Sequence, residues 1–280
     1  MDLFGKKQNV DLLSSRLAGL LGTAGVEYTA LPSNVRSRVR ALKNLQVELN
    51  KTEVEYYKEL HALEIKYSKL NQKVYDKRAE IVNGRYEPSG RETEFPEEYE
   101  ESELNQSSDH NQRGIPKFWL TVFKNVEPLA AMIQPQDEEI LAHLQDVRLT
   151  VNEKGFVLEF VFEKNDFFNN DVLAKTYELD FSVDESDPLD YSGPEIVGVK
   201  GTEINWTSEE KNPTITYGKK TKKQKNRSVV SQVSVAQRAD SFFNFFNPPA
   251  CKFLLCLVVF LFKNFASDAT FLISTDDSFV

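Results

Sequence analysis

The stretch from Val35 to Ile81 reads VRSRVRALKNLQVELNKTEVEYYKELHALEIKYSKLNQKVYDKRAEI. Apolar side chains recur in it at alternating intervals of four and three residues, which is the spacing of one apolar stripe on an α-helix. Charged residues fill most positions between them, so the stretch predicts one long amphipathic helix. The apolar members of this stripe, called the seam below, are Val35, Val39, Leu42, Leu49, Tyr56, Leu60, Leu63, Tyr67, Leu70, Val74 and Ile81.

The length of this helix predicts a second chain. At about 1.5 Å of rise per residue it would be roughly 70 Å long, which is more than one small domain covers. Gln46, Glu53 and Lys77 occupy the remaining steps of the seam, and polar residues at such positions specify the register of a helix pair. We therefore predict a homodimer along the seam, with a helix packed along its own domain as the alternative.

Residues at both ends of the stretch are typical of helix termini. Pro32-Ser33-Asn34 supplies a stop and polar N-cap candidates, and Asn83-Gly84 supplies a C-cap that tolerates a left-handed backbone. The predicted helix therefore occupies residues 34–83.

The chain of 280 residues carries 43 acidic and 34 basic side chains, a formal net charge of -9. This balance disfavours direct, sequence-specific binding to nucleic acid and favours basic partners. The charges are segregated along the chain, because residues 87–103 are strongly acidic and residues 219–227 are basic with no acid. The N-terminus lacks the apolar core of a secretory signal, which predicts an intracellular location.

Five segments of different composition follow one another. Residues 1–33 contain an apolar-periodic piece that predicts a short helix, and the long helix follows in residues 34–83. Residues 84–113 are acidic and rich in residues that break regular structure, as in a mobile insertion. Residues 114–249 have the composition of a compact domain, and residues 250–280 form an apolar C-terminal tail.

The compact domain mixes helical and strand patterns. Helices are predicted after Gly114-Ile115-Pro116 and after Pro135, and strands are predicted on both sides of a turn at residues 152–155 and over residues 172–181. Residues 213–236 predict a long hairpin with the basic residues at its exposed tip. Helices beside an antiparallel sheet make the fold class α+β.

No residue pattern predicts an enzyme, a metal site or a cofactor. His61, His110 and His143 are too far apart for a triad or a metal cluster, and no donors cluster beside Cys251 and Cys256. His61 is expected to be a solvated helix residue. The acidic residues between positions 166 and 190 lack the signs of burial that paired catalytic carboxylates need. The chain is therefore interpreted as a binding protein.

The basic run allows three interpretations. It matches a nuclear localisation patch, it could contact nucleic acid, and it could be a solvated hairpin end. Aromatic residues that would stack on bases are absent from it, which argues against binding to single strands. Its members are Lys219, Lys220, Lys222, Lys223, Lys225 and Arg227.

Five motifs occur between residues 114 and 249: GIPKFWLT at 114–121, LQDVRL at 144–149, GFVLEF at 155–160, NDFFNNDVLAKTY at 165–177 and DSFFNFFNPP at 240–249. In their order and their residues they resemble motifs of the nucleosome assembly protein family. The residues are similar to those of plant members. The resemblance covers about residues 34–249.

The resemblance implies a histone chaperone whose long dimerisation helix pairs antiparallel with that of a second copy, with an α+β "earmuff" domain at each end. It implies core histones as partners, assembly and disassembly of nucleosomes, transport of histones, and shuttling between nucleus and cytoplasm without a cofactor. Dimers with related family members fit the same scheme. The basic hairpin would serve nuclear import, and the acidic underside of the domain, here Asp184, Glu185, Asp187 and Asp190, would bind histones.

The sequence departs from the family pattern after Pro249. The expected further helices, acidic tail and prenylation box are replaced by an apolar run at residues 253–262, which predicts an altered ending and weaker histone binding. This run is too short to span a bilayer, which argues against a membrane as a partner. Two rival hypotheses remain: a coiled-coil dimeric scaffold, and a membrane-attached protein that uses residues 253–273.

Overall fold

The computed structural model describes residues 31–93, 113–223 and 230–247. Its helices are α1 (Ser33–Val82), α2 (Phe118–Lys124), α3 (Glu127–Ala130) and α4 (Pro135–Leu141). Its strands are β1 (Leu144–Asn152), β2 (Gly155–Phe162), β3 (Val172–Asp180), β4 (Glu195–Gly201), β5 (Ile215–Lys223) and β6 (Val230–Arg238), and 3-10 turns lie at Glu209–Lys211 and Phe242–Phe246. A long helix followed by an antiparallel sheet and helices confirms the α+β fold class.

Helix α1 is a single element of 50 residues. At its start the Asn34 side chain accepts a hydrogen bond from the backbone N–H of Val35 at 2.9 Å. At its end Gly84 has φ 64, a conformation that costs a glycine little and other residues more. The predicted C-cap is confirmed, whereas Ser33 and Asn34, the predicted N-cap candidates, lie within the first turn of the helix.

The described residues form two compact units. One contains α1 up to Lys58 together with Phe181–Pro194, and the other contains Glu59–Asp180 and the described residues from Glu195 onward. The second unit holds a four-stranded sheet of order β1-β2-β3-β4, antiparallel throughout, and the two-stranded ribbon β5-β6. The predicted strands and the hairpin are confirmed, whereas α3 and the short strand β4 were not predicted.

The core of the second unit is aromatic. Side chains from α2 and β2 pack against the 3-10 turn Phe242–Phe246, whose four phenylalanines are all buried. The carboxylate of Asp137 at the start of α4 accepts hydrogen bonds from the Ser241 hydroxyl at 2.6 Å and the Phe242 N–H at 2.7 Å. This buried carboxylate therefore fastens the turn to α4.

In the part of the chain that the structure describes, no helix is long and apolar enough to cross a membrane. Residues 253–273 of the membrane hypothesis, and almost all of the predicted N-terminal helix in residues 1–33, lie outside the described residues.

Candidate interaction surfaces

Eight of the predicted seam residues are exposed along α1. Their exposed fractions run from 38% for Leu60 to 67% for Val74. The other three, Val35, Val39 and Ile81, are half-buried. Soluble monomers rarely expose contiguous apolar surface of this extent, so the stripe has the character of an interface. The eight are Leu42, Leu49, Tyr56, Leu60, Leu63, Tyr67, Leu70 and Val74.

The seam differs from the expected pattern near its start. Leu45, which was not placed on the seam, is 59% exposed. Gln46, which was placed on it, is half-buried, and its amide Nε2 donates to Asn50 Oδ1 at 2.8 Å. Leu45 lies three residues after Leu42 and four before Leu49, which is also the spacing of one helix face. Leu45 therefore takes the exposed step that the repeat gave to Gln46.

His61 is buried, and the prediction of a solvated side chain is wrong. It is 8% exposed, and its Nε2 donates to the carbonyl oxygen of Asn152 at 2.7 Å. Its position directly after Leu60 turns it from the seam toward the end of β1. Half-buried Ile65, four residues further along α1, also packs against the core. This burial depends on a contact with a residue 91 positions away, which no local pattern in the sequence could predict.

The four acidic residues predicted to bind histones lie together in the segment Phe181–Pro194, called the acidic loop below, and all four are exposed. Asp184 Oδ1 accepts from the backbone N–H of Ser186 at 2.8 Å and from its hydroxyl at 2.6 Å, and these bonds lower the pKa of Asp184. Glu185 forms an ion pair with Lys51 at 2.8 Å, which raises the pKa of Lys51. Asp184 and Glu185 thus make contacts within the chain. Asp187 and Asp190 add two further exposed carboxylates to the loop.

The acidic loop contacts α1 at several points. Asn50 is 0% exposed, and its Nδ2 donates to the carbonyl oxygen of Pro188 at 2.7 Å. Near the end of the loop Gly193 lies against the ring of Tyr57. A shallow groove beside the loop is lined by α1 and by loop residues, namely Lys51, Val54, Glu55, Lys58, Ser182, Val183 and Glu185.

The basic residues only partly occupy the place predicted for them. The backbone of Lys219, Lys220, Lys222 and Lys223 lies in strand β5, where Lys220 pairs with Val233 and Lys222 with Ser231, so these four are not at the hairpin tip. Pairing with β6 outweighs the low strand propensity of lysine. Lys225 and Arg227 lie outside the described residues.

The acidic insertion begins with an ordered turn after α1. Glu92 pairs with Lys77 and accepts hydrogen bonds from the Tyr86 hydroxyl at 2.6 Å and the Ser89 N–H at 2.9 Å. Lys77, then Tyr86 and Ser89, lower the pKa of Glu92 from 4.5 to about 2. Lys77, predicted as a polar seam residue, is therefore held in this turn. Residues 94–112 of the insertion lie outside the described part.

Two buried acids in the second unit, Asp137 and Asp146, were not predicted. Asp137 anchors the 3-10 turn, and Asp146 accepts from Arg148 Nε at 2.8 Å beside Arg78, whose pKa burial lowers. They contact separate partners and form no carboxylate pair. Among the described residues no group of three or more metal-binding side chains occurs.

Comparisons with known proteins agree with the motifs. The family model "Nucleosome assembly protein (NAP)" matches residues 37–254. Nucleosome assembly protein 1-like 1 of Xenopus tropicalis is 44% identical over 254 residues, 85% of this chain and 64% of that protein. The human protein of the same name is 44% identical over 255 residues, 85% of this chain and 65% of that protein. The chain thus spans just under two thirds of these relatives.

Solved structures of similar proteins include two nucleosome assembly proteins of malaria parasites. The Plasmodium falciparum structure at 2.4 Å resolution is 24% identical, with a TM-score of 0.47, and covers 87% of this chain and 99% of its own. The Plasmodium knowlesi structure is 24% identical, with a TM-score of 0.45, and covers 85% and 90%. The family model covers most of the chain, and on that match the chain belongs to the nucleosome assembly protein family.

Proposed function

We propose that this protein is a histone chaperone that binds core histones as a homodimer, assists nucleosome assembly and disassembly, and shuttles between cytoplasm and nucleus. Family membership carries the proposal, and two surfaces support it: the exposed seam of α1 and the acidic loop. The first would join two copies, and the second would bind a basic partner. Neither surface requires a cofactor or a catalytic residue.

The mechanism follows from electrostatics. Histone cations gain affinity for DNA by neutralising phosphates and releasing counterions. Exposed carboxylates such as Asp187 and Asp190 would occupy some of these cations, which weakens misplaced contacts with DNA. DNA that is correctly wrapped around the histones makes many phosphate contacts at regular intervals. It would therefore still compete successfully with the chaperone for the histones.

Titration of labelled core histones against the full chain at several salt concentrations tests the proposal. Replacing the acids of the loop (Asp184→Asn, Glu185→Gln, Asp187→Asn, Asp190→Asn) should weaken binding and flatten its dependence on salt, since exposed charges are screened. The control variant neutralises an equal number of exposed acids elsewhere, namely Glu127, Glu153, Asp171 and Glu210. Equal affinities for the wild type and the loop variant would reject the loop as the histone site.

The scaffold hypothesis makes the opposite prediction in the same experiment. A dimeric scaffold would use the exposed seam but would have no need of the acidic loop. A dimer that fails to bind core histones at moderate salt would favour the scaffold over the chaperone.

A further inference from the structure

The two edges of the four-stranded sheet differ. At the β1 edge, side chains of α1 and α2 bind the strand: His61 Nε2 donates to the carbonyl oxygen of Asn152 at 2.7 Å. The carbonyl oxygen of Gln145 accepts from Asn83 Nδ2 at 3.2 Å and from Trp119 Nε1 at 3.0 Å. Strand β4 forms the other edge, and among the described residues no strand pairs with its outer side. Such an edge presents backbone groups that can pair with a further strand.

The register shows which backbone groups of β4 point away from β3. Directly after β4, the N–H of Thr202 donates to the carbonyl oxygen of Ala174 on β3 at 2.8 Å. The register has no shift from Gly201 back to Gly198. Since backbone groups alternate in direction along a strand, every second residue counted back from Thr202 faces β3. Val199 and Gly201 lie between these residues, so their N–H and C=O groups point to the open edge.

Apolar side chains at this edge are only partly covered. Val197 on β4 is 50% exposed. Leu179, Ile196 and Val199 are half-buried at the margin of the core. The edge therefore offers apolar contacts as well as backbone hydrogen bonds, which favours an extended apolar segment as its partner.

The chain leaves the described part beside this edge. A Cβ atom on Gly201, the last residue of β4, would collide with the carbonyl oxygen of Phe246, and Asn247 is the last residue described. Residues 248–252 allow the chain to reach about 20 Å further when extended, which is about the length of β4 itself. The apolar run at residues 253–262 therefore begins within reach of β4, and nearest to its Gly201 end.

The composition of the apolar run matches this edge. It reads FLLCLVVFLF, without a charge, a proline or a glycine. Segments of this kind are prone to pair with other chains when they are exposed. Extended, the run would span about 33 Å, which is enough to cover the 7 residues of β4. Pairing within the chain would cover both the run and the open edge.

We propose that residues 253–262 dock on β4 of the same chain as a fifth strand of the sheet. The run is antiparallel to β4, because the short connection from Asn247 meets the Gly201 end of β4 first. Its backbone pairs with the outward groups of Val199 and Gly201, and its side chains extend the core past Ile196. The inference goes beyond the proposed function, because it requires no histone.

Crosslinking can locate the run, because both cysteines of the chain lie in the C-terminal tail. Cys251→Ser leaves Cys256, within the run, as the only native thiol. Lys200→Cys and Thr150→Cys then add a second thiol at exposed positions on the opposite edges of the sheet. The two positions lie in one row of paired residues, with Val157 and Thr176 between them, so they share a face.

The two positions form a matched pair separated by three strand spacings, about 14 Å. A short bismaleimide should therefore crosslink the Lys200→Cys variant about tenfold faster than the Thr150→Cys variant, with a product of monomer size. Equal rates would overturn the proposal. A product of dimer size would assign the β4 edge to the run of a second copy, which also overturns it.

Hydrogen exchange tests the pairing itself. Leu257→Pro together with Val258→Pro removes one N–H from each side of the run. We expect the amides of Val199 and Gly201 to exchange about tenfold faster in this variant, whereas those of Gly198 and Lys200, which face β3, should not change. Ser267→Pro together with Asp268→Pro is the matched control beyond the run, and it should leave all four amides unchanged.

The remaining outcomes also decide the matter. If the amides of Val199 and Gly201 exchange equally fast in the wild type and in the Leu257→Pro, Val258→Pro variant, the proposal is wrong. Sedimentation of the full chain with phosphatidylcholine vesicles, with those amides unprotected, would assign the run to a membrane instead. If the proline variant unfolds, exchange rises in every strand, and the crosslinking rates, measured with the run intact, decide.

Discussion

Lys175 on β3 donates a hydrogen bond from its Nζ to the backbone carbonyl of Phe245 at 2.6 Å. The side chain is 1% exposed, and its Nζ lies 3.6 Å from the centre of the Phe245 ring. Burial lowers the pKa of Lys175 from 10.5 to about 7, because the charged form loses its hydration. A lysine of the sheet thus holds the 3-10 turn through a contact that tolerates the neutral amine.

This contact predicts how stability depends on pH. The folded-state pKa of Lys175 lies below the unfolded value, so the unfolded chain binds more protons between pH 7 and pH 10.5. The free energy of unfolding therefore gains a term that rises with pH across this window, by at most about 1.4 kcal/mol per pH unit. Denaturant unfolding of the wild type and of Lys175→Met isolates the term. A difference between the two that stays constant with pH would contradict it.

We expect one methyl group added at Gly201 to destabilise the fold. A Cβ atom at this position would lie 1.8 Å from the carbonyl oxygen of Phe246, so β4 and the 3-10 turn must separate to admit it. We expect Gly201→Ala to lower the free energy of unfolding by about 1–3 kcal/mol. Gly90→Ala is the matched control, because nothing lies within 4 Å of its added Cβ. Urea denaturation of both variants measures the difference.

The seam predicts a homodimer through α1. Replacing Leu60 and Leu63 with Asp would bury unpaired charges between two helices, at a cost of several kcal/mol, and should give monomers in light scattering at micromolar concentration. A control with Ala62→Asp and Lys69→Gln lowers the net charge equally at exposed positions outside the seam and should remain dimeric. A monomeric wild type would rule out the dimer.

The basic hairpin predicts nuclear entry. Lys222→Ala, Lys223→Ala and Lys225→Ala together should leave a fluorescently tagged protein in the cytoplasm, with an unchanged unfolding transition. An unchanged transition is required so that loss of nuclear entry cannot be the result of unfolding. Replacing the helix lysines Lys66, Lys69 and Lys73 with Ala controls for the loss of positive charge. Continued nuclear accumulation of the hairpin variant would assign import to another segment.

Local signals in the sequence were sufficient for most of the elements. The 4-3 spacing predicted α1, since apolar residues recur on the same face in every turn of an amphipathic helix. Capping residues predicted its ends, because they act within a few positions of the backbone groups that they satisfy. Alternation predicted β1, β2 and β3, and the family motifs carried the expectation of the function.

The sequence by itself thus determined the helix, its seam, most of the strands and the segregation of charge, all of which depend on residues close together in the chain. Tertiary structure alone decided that His61 is buried against Asn152, that Asn50 holds Pro188 and that Lys175 holds Phe245. Partners in these pairs are separated by 70 to 138 positions. The physical reason is that burial and hydrogen bonding depend on which distant segments of the chain come into contact. A local sequence pattern does not determine those contacts.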